Sequence, residues 1–290
     1  MAGYKGSSIN PKKFEKGQIK LIVAVTPLAI LMLLPIIFIF CHAFKPMTEL
    51  FIFPPRFFVT NPTLDNFRGL MKASQTSGIP MSRYVFNSLV VTLSDVLLSI
   101  VLSTTAGFAL SKLKFRGKEA LMEINNMALM FVPVAVMIPR YLVIDTLNIT
   151  NNYLAHILPL LAMPVSLFLV KQFIDQIPDA LIDAAYMDGA TDFVVYRKII
   201  MPMIKPAIAT AAILAFQQVW ANVESSNLYM SEDGLRTLAF YMNTLANANN
   251  SVAGQGIAAA ATLIMFVPNL VMFIICQKNV MNTMAHSGIK

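Results

Sequence analysis

An uncharged apolar segment from Leu21 to Ala43 is the feature that most constrains what this chain can fold into. As an α-helix it would extend about 34 Å, which exceeds the roughly 30 Å of a bilayer's hydrocarbon core. The run is too long for the apolar part of a signal peptide, and no Ala-x-Ala cleavage site follows it. It therefore predicts a membrane-spanning helix, in which Pro27 and Pro35 are tolerated as kinks.

The rest of the chain has the same character. Of its 290 residues, 57% are hydrophobic and 13% are charged, whereas a soluble domain carries about 25% charged residues. Five further apolar runs follow, at 84–110, 122–142, 153–173, 204–220 and 252–276. We therefore expect an all-α polytopic membrane protein, with six transmembrane helices over residues 19–276 between a basic tail at 1–18 and a polar tail at 277–290.

The net charge of +7 arises from Lys and Arg residues scattered among the loops. Because cytoplasmic loops carry an excess of these residues, we interpret them as determinants of topology and expect no nucleic-acid partner. Placing both termini in the cytoplasm puts most of them inside, including the dense basic link 112–118. This arrangement also puts the segment 178–202 inside.

The segment 178–202 has the pattern of a helix, a turn and a second helix. Pro178 suits a helix start, and Asp188-Gly189 is a turn signal. Thr191 is expected to cap the second helix. The apolar face at helical spacing consists of Leu181, Ala184 and Ala185. Such a short face needs a surface to cover it, so we expect either a docking element for a soluble partner or an amphipathic loop packed on its own spans.

The same segment resembles the cytoplasmic loop that carries the Glu-Ala-Ala motif of ABC importer permeases. That motif continues with Gly, Ile and Leu-Pro at fixed spacing. This chain has Asp183-Ala184-Ala185, Gly189, Ile199 and Met201-Pro202 at those positions, with Asp for Glu and Met for Leu. The flanking residues are similar to the carbohydrate-importer branch, and within it to the shorter, six-span member of the maltose-type pair. A weaker similarity extends from Tyr84 to the C-terminus.

The resemblance implies a permease subunit of an ATP-driven importer of a carbohydrate, an oligosaccharide in particular, in a bacterial or archaeal cytoplasmic membrane. It implies that the loop lies in a cleft of a separate ATPase, where Asp183 reaches the partner and Gly189 permits the turn. The implied ATPase-coupling residues are Asp183, Ala184, Ala185, Asp188, Gly189, Ile199 and Pro202. The implied partners are a second homologous permease, two ATP-binding subunits or a homodimer of one, a solute-binding protein outside the membrane, the carbohydrate and membrane lipid.

No Gly-x-x-x-x-Gly-Lys-Ser/Thr stretch occurs in the sequence. We therefore expect no enzyme activity and no cofactor in this chain, with ATP and Mg²⁺ bound by the partner ATPase. Only two cysteines are present and no metal site is expected. The alternatives are an ion-coupled secondary transporter and an ABC importer of a non-sugar solute such as glycerol phosphate. One clear intramembrane acid and no obvious repeat favour the importer over the secondary transporter.

The predicted solute path is a set of five polar or aromatic residues. Asp95 is the one acid well inside an apolar run, so it either faces the solute or is bonded to a neighbouring helix. Gln217, Gln218, Trp220 and Asn222 end the fifth span, where amides could bind sugar hydroxyls and an indole could stack on a sugar ring. The alternative for the latter group is an interfacial Trp with polar neighbours.

Four further expectations concern the scaffold. The third span is expected to be broken at Pro133 and at Pro139-Arg140, with the arginine reaching the membrane interface. His156 is expected to be a hydrogen-bonded scaffold residue. The segments 44–83 and 224–255 are expected to be long loops outside the membrane.

Overall fold

The computed structural model describes residues 16–76, 78–248 and 254–287. Within those ranges the regular elements are all helical, which confirms the predicted fold class. The α-helices of these ranges are α1 (Lys16–Ala43), α2 (Met47–Leu50), α3 (Asp65–Thr76), α4 (Met81–Lys112), α5 (Lys118–Ala128), α6 (Met137–Thr146), α7 (Tyr153–Leu161), α8 (Pro164–Asp175), α9 (Asp179–Met187), α10 (Asp192–Val195), α11 (Met201–Met203), α12 (Lys205–Trp220), α13 (Glu224–Tyr229), α14 (Leu238–Ala248) and α15 (Gln255–Ser287).

Six membrane crossings can be counted in the described part of the chain. The helices α1, α4 and α15 are each long and apolar enough to span a membrane. Three bent pairs meet the same criterion only together: α5 with Pro133–Thr146, α7 with α8, and Asp192–Met203 with α12. The bends are 110°, 46° and 79° respectively. With each pair counted as one crossing, the predicted six-span architecture is confirmed.

The breaks in the third and fourth spans coincide with prolines. Val132 is extended (φ −76°, ψ 130°) before Pro133, which is the conformation favoured by a residue that precedes proline. Pro164 lies in the first turn of α8, where its missing N–H leaves no bond unmade. The expected second break at Pro139 is wrong, because this proline lies in the first turn of α6 and the helix continues through it. The predicted span 122–142 is therefore two helices that meet at a wide angle.

Both segments that were expected to be long loops contain helices. The segment 44–83 holds α2 and α3, and the segment 224–255 holds α13 and α14. The expectation of a loop is wrong for α14 because an apolar face is hidden among its polar residues. This face, formed by Leu238, Tyr241 and Met242, is buried at helical spacing against the bundle.

The two larger of the four buried clusters in the described residues lie one toward each end of the crossing helices. The first contains Phe108 of α4 and Ile174 of α8, together with residues from 177–204. We call this end the hairpin face, after the hairpin formed by residues 178–202. The second cluster joins α4, α12, α14 and α15 through residues such as Tyr84 and Trp220. We call that end the opposite face.

The helices α4 and α8 approach each other closely at Gly107. A Cβ atom at this position would lie 3.1 Å from Cγ1 of Val170 and 3.5 Å from the backbone nitrogen of Lys171. The missing side chain therefore lets the surface of one helix reach the backbone of the other. Val170 belongs to the same buried cluster as Ile182 and Val195 of the hairpin, so this contact adjoins the hairpin.

Candidate functional site

The hairpin consists of two short helical arms joined by a tight turn. The first arm is α9, which begins at Asp179, so Pro178 stands one position earlier than expected, at the N-cap. The second arm is α10, a π-helical turn at Tyr196–Ile200, and α11. The predicted helix–turn–helix arrangement is therefore present, but its second arm is irregular.

The turn of the hairpin requires a glycine. Gly189 has φ +79°, a left-handed conformation that costs L-residues free energy. Its N–H donates to the carbonyl of Tyr186 at 3.0 Å, and the N–H of Ala190 donates to that of Ala185 at 2.9 Å. These two bonds form a Schellman motif, which satisfies carbonyls at the end of α9. The predicted turn is confirmed.

The two arms are joined by a side-chain bond that the sequence did not suggest. Thr191 occupies the N-cap position of α10, but its hydroxyl makes no capping bond there, so its expected capping role is wrong. Instead the hydroxyl of Tyr186 donates to Oδ1 of Asp192 at 2.8 Å, which joins the two arms. Partial burial raises the pKa of Tyr186, and the bond to Asp192 raises it further. The phenol therefore remains a donor at physiological pH.

One side of the hairpin is buried against the membrane helices. Ile182 of the first arm and Val195 and Ile200 of the second are almost inaccessible and belong to the cluster that includes α4 and α8. Tyr196 adds a polar contact, because its hydroxyl lies 2.8 Å from Oγ1 of Thr104. This cluster accounts for the half-buried position of Ile199.

A lysine at the end of α4 fixes the start of the hairpin. Nζ of Lys112 donates to the carbonyl of Ile177 at 2.7 Å and to Oδ1 of Asp179 at 2.6 Å. The lysine side chain is 8% exposed, whereas that of Asp179 is 78% exposed. The lysine lowers the pKa of Asp179 through this bond and its charge. A membrane-spanning helix and the hairpin are therefore connected directly.

The other side of the hairpin is exposed, and it carries two large apolar residues that the sequence reasoning missed. Met187 is 88% exposed and Phe193 is 65% exposed, one on each side of the turn. Met187 follows Ala184 by three residues, and both Ala184 and Leu181 are exposed with it, whereas the buried residue of this arm is Ile182. Of the coupling residues implied by resemblance, Asp183, Ala184, Asp188, Gly189 and Pro202 are exposed, whereas Ala185 and Ile199 are half-buried.

The predicted solute-path residues differ in exposure. Gln217 and Gln218 are exposed at the far end of α12. Trp220 is 5% exposed, and its Nε1 donates to the carbonyl of Met265 at 3.1 Å, so it packs between α12 and α15. Oδ1 of Asn222 accepts from the backbone N–H of Ser225 at 2.9 Å and so caps the start of α13. Burial removes Trp220 from any open surface of this subunit.

Asp95 is fully buried in α4. Oδ1 accepts from the hydroxyl of Ser99, one turn further along the same helix, at 2.8 Å. Oδ2 has no hydrogen-bond partner among residues 16–76, 78–248 and 254–287. The expectation of a bond to a neighbouring helix is therefore wrong, and a role on the solute path stays a prediction.

Two other polar residues within the spans have partners at the opposite face. Nη1 of Arg140 lies 3.2 Å from Oε1 of Glu224, at the start of α13, and its reach to the membrane interface stays a prediction. His156 is fully buried and lies 2.8 Å from the hydroxyl of Ser225 and 3.1 Å from the carbonyl of Leu235. The prediction of a scaffold role for His156 is confirmed.

Residues 96–278 match the family described as binding-protein-dependent transport system inner membrane components. This match covers more than half of the chain. The chain belongs to that family. The family assignment favours binding-protein-dependent transport over the ion-coupled alternative.

Two relatives are named as permeases, and a solved structure has the same fold. The chain is 28% identical to the sulfoquinovosyl glycerol transport system permease protein of Agrobacterium fabrum, covering 96% of this chain and 95% of the relative. It is 27% identical to the trehalose transport system permease protein of Mycobacterium tuberculosis, covering 89% and 92%. A chain in the crystal structure of a bacterial ABC transporter that imports alginate has the same fold, with a TM-score of 0.76, 20% identity and coverage of 93% of this permease and 99% of that chain.

Proposed function

We propose that this permease is the membrane-spanning subunit of an ATP-driven importer, and that its hairpin docks on a separate ATP-binding subunit. The observation that carries the proposal is the two-sided hairpin. One side is fixed to α4 and α8, whereas the other exposes Met187 and Phe193 on a polar loop. Apolar side chains exposed in this way are typical of protein–protein contacts.

Coupling requires that the partner bind the inward-open and outward-open states with different free energies. The bond from Lys112 to Asp179 and the packing of Ile200 supply a direct connection between docking and the spans. A displacement of the hairpin would therefore move α4 and α8 with it. In this scheme ATP and Mg²⁺ are bound by the partner chains, because the sequence has no phosphate-binding loop of the Gly-x-x-x-x-Gly-Lys type.

The proposed solute is a carbohydrate delivered by a solute-binding protein on the outside. The support is that the relatives are named for transport of sulfoquinovosyl glycerol and of trehalose, and that the family is named for its dependence on binding proteins. Gln217 and Gln218 are the exposed members of the predicted solute-path set, and amides suit sugar hydroxyls. A second, homologous permease would complete the pathway. Both termini and the hairpin face would lie in the cytoplasm, as the distribution of Lys and Arg indicates.

The docking proposal is tested by placing a charge on the exposed side of the hairpin. We expect Met187→Asp to leave the permease folded but to weaken ATPase binding by about 2 kcal/mol or more, roughly 30-fold, because a buried unpaired charge is costly. Leu64→Asp is the matched control, since Leu64 is an exposed apolar residue (54%) outside the hairpin. Co-purification and solute-stimulated ATP hydrolysis are the measurements. Wild-type affinity in Met187→Asp would refute docking at this surface.

The solute proposal is tested separately with the assembled transporter. Hydrolysis should be stimulated by one of a panel of mono- and oligosaccharides presented on the binding protein, and not by glycerol phosphate. Uptake should survive collapse of the ion gradients and stop without ATP. If glycerol phosphate stimulates hydrolysis and none of the saccharides does, the proposal of a carbohydrate solute is refuted in favour of a non-sugar solute.

A further inference from the structure

The loop that follows α1 exposes aromatic side chains on the opposite face. We call residues 51–58 the aromatic loop. Within it Phe51 is 62% exposed, Phe53 is 93% exposed and Phe58 is 68% exposed. The loop contains no acid and a single cation, Arg56. The proposed docking of the hairpin does not use this surface.

The aromatic loop is held in a defined conformation by two buried charges at its base. The carboxylate of Glu49 accepts the backbone N–H of Thr60 at 3.0 Å and that of Asn61 at 2.7 Å. The ammonium of Lys45, which is 2% exposed, donates to the carbonyl of Arg56. These bonds hold the loop backbone in place while the rings of Phe51, Phe53 and Phe58 remain exposed.

Three backbone groups of the loop make no demand on water for hydrogen bonding. Pro54 and Pro55 carry no N–H, and the carbonyl of Arg56 is bonded within the chain. Irregular backbone needs such internal satisfaction wherever water is scarce. This property suits the boundary between lipid headgroups and acyl chains.

A ring contact fixes the depth of the loop relative to α1. The ring of Phe57 lies 5.6 Å from that of Phe38, which precedes the end of α1 at Ala43 by about 7.5 Å of helix. If the hydrocarbon core begins near Leu21, about 20 residues of helix take it to about Phe40. Phe38 is then still in the apolar layer. The loop therefore folds back beside the membrane-embedded part of α1.

We propose that the aromatic loop inserts into the phospholipid leaflet at the opposite face, with its phenyl groups at the headgroup–acyl boundary. Interfacial segments bury Phe side chains at this boundary, and the guanidinium of Arg56 is a group that pairs with lipid phosphate. The assignment of the leaflet as the outer one rests on the proposed importer topology. Insertion itself depends only on the fold, so it can be tested apart from ATPase docking.

The test uses an environment-sensitive NBD label at Phe53→Cys. The background carries Cys41→Ser and Cys276→Ser, which remove both native free cysteines. The full chain, assembled with its partner subunits, is reconstituted into phosphatidylcholine–phosphatidylglycerol vesicles that contain 5-doxyl or 12-doxyl lipid. The matched control is the label at Asp65→Cys, whose side chain is 65% exposed at the start of α3.

We expect the label at position 53 to be quenched several-fold more by 5-doxyl lipid than the label at position 65, and to be protected from aqueous iodide. Iodide quenching without doxyl quenching would overturn the proposal. Doxyl quenching that is absent in the assembled transporter but present in the permease alone would also overturn it, because the second permease would then cover the loop. Loss of doxyl quenching on addition of solute-binding protein would show that the loop contacts that protein and would overturn the proposal of lipid insertion.

A second experiment makes the outcome independent of the position that carries the label. Phe53→Ser combined with Phe58→Ser removes two exposed rings without touching the support, so the fold should persist. In the permease labelled at Phe51→Cys, this pair should reduce doxyl quenching, whereas Leu64→Ser in the same labelled background should not. Equal quenching in both backgrounds would refute insertion driven by the phenyl groups. Each result is read without ATP hydrolysis, so failure of hairpin docking would leave it unchanged.

Discussion

The left-handed glycine in the hairpin allows its conformation and its surface to be tested separately. Gly189 has φ +79°, and a Cβ built on it meets no atom within 4 Å. The cost of Gly189→Ala is therefore one of backbone conformation alone, about 1–2 kcal/mol. If the partner binds only the native turn, and that turn is in near balance with another conformation in the free permease, its apparent affinity falls by up to a factor of about 5–30. Gly189→Asn should cost less, because Asn tolerates this conformation better.

The matched control is Gly78→Ala. Gly78 has φ +76° and open space around its missing Cβ, so the substitution carries the same backbone cost outside the hairpin. Titration of purified ATPase onto permease in nanodiscs, followed by solute-stimulated hydrolysis, measures the effect. We expect Gly189→Ala to lose more affinity for the ATPase than Gly189→Asn, and Gly78→Ala to lose none.

A bulky residue at the same position tests the surface. Gly189→Trp has the conformational cost of alanine, but no atom of the permease obstructs its side chain near the backbone. The variant should reach the membrane in normal amounts and fail to dock the ATPase or support uptake. Normal solute-stimulated hydrolysis by Gly189→Trp would refute the docking scheme, and equal losses in Gly78→Ala and Gly189→Ala would show a general effect on stability.

Three further outcomes follow from the structure. Lys112→Met should remove the bond to Asp179 and uncouple hydrolysis from uptake while ATPase binding persists, as measured by the ratio of ATP split to solute moved. Gly256→Ala should lower the free energy of unfolding by about 1–3 kcal/mol, seen as a lower melting temperature, because its Cβ would lie 2.6 Å from Oδ1 of Asn66. Hydrogen bonds from backbone N–H groups lower the pKa of Glu49, so its support of the aromatic loop is present at neutral pH and should be lost as pH falls through that lowered pKa, seen as rising iodide access.

The spans and the turn could be predicted because their signals are local. An uncharged run such as Leu21–Ala43 has few alternatives to a membrane helix, and Asp188-Gly189 has the geometry that its residues favour. The wide bend before Pro133 was harder to predict from the sequence, because a proline within a span is compatible with either a kink or a break. The helix α14 was missed since the Asn and Ser residues around it outweighed its apolar face.

The exposed side of the hairpin could be predicted only in part. Resemblance implied Asp183 and Gly189, but the exposure of Met187 and Phe193 depends on which face the core covers. That choice is made by contacts distant in sequence, such as those with α4 and α8. The burial of Trp220 is of the same kind, because its partner carbonyl belongs to α15.

The close approach at Gly107 has a mechanical consequence. Val170 and the backbone of Lys171 lie close to position 107, so tight packing resists sliding of α4 against α8, and we expect the two helices to move together. Any relative motion within the fourth span must then be taken up elsewhere. The non-helical residues Ala162 and Met163, at the 46° bend between α7 and α8, are the nearest place for that flexing. The close packing at Gly107 thereby favours bending at Ala162 and Met163 over movement between α4 and α8.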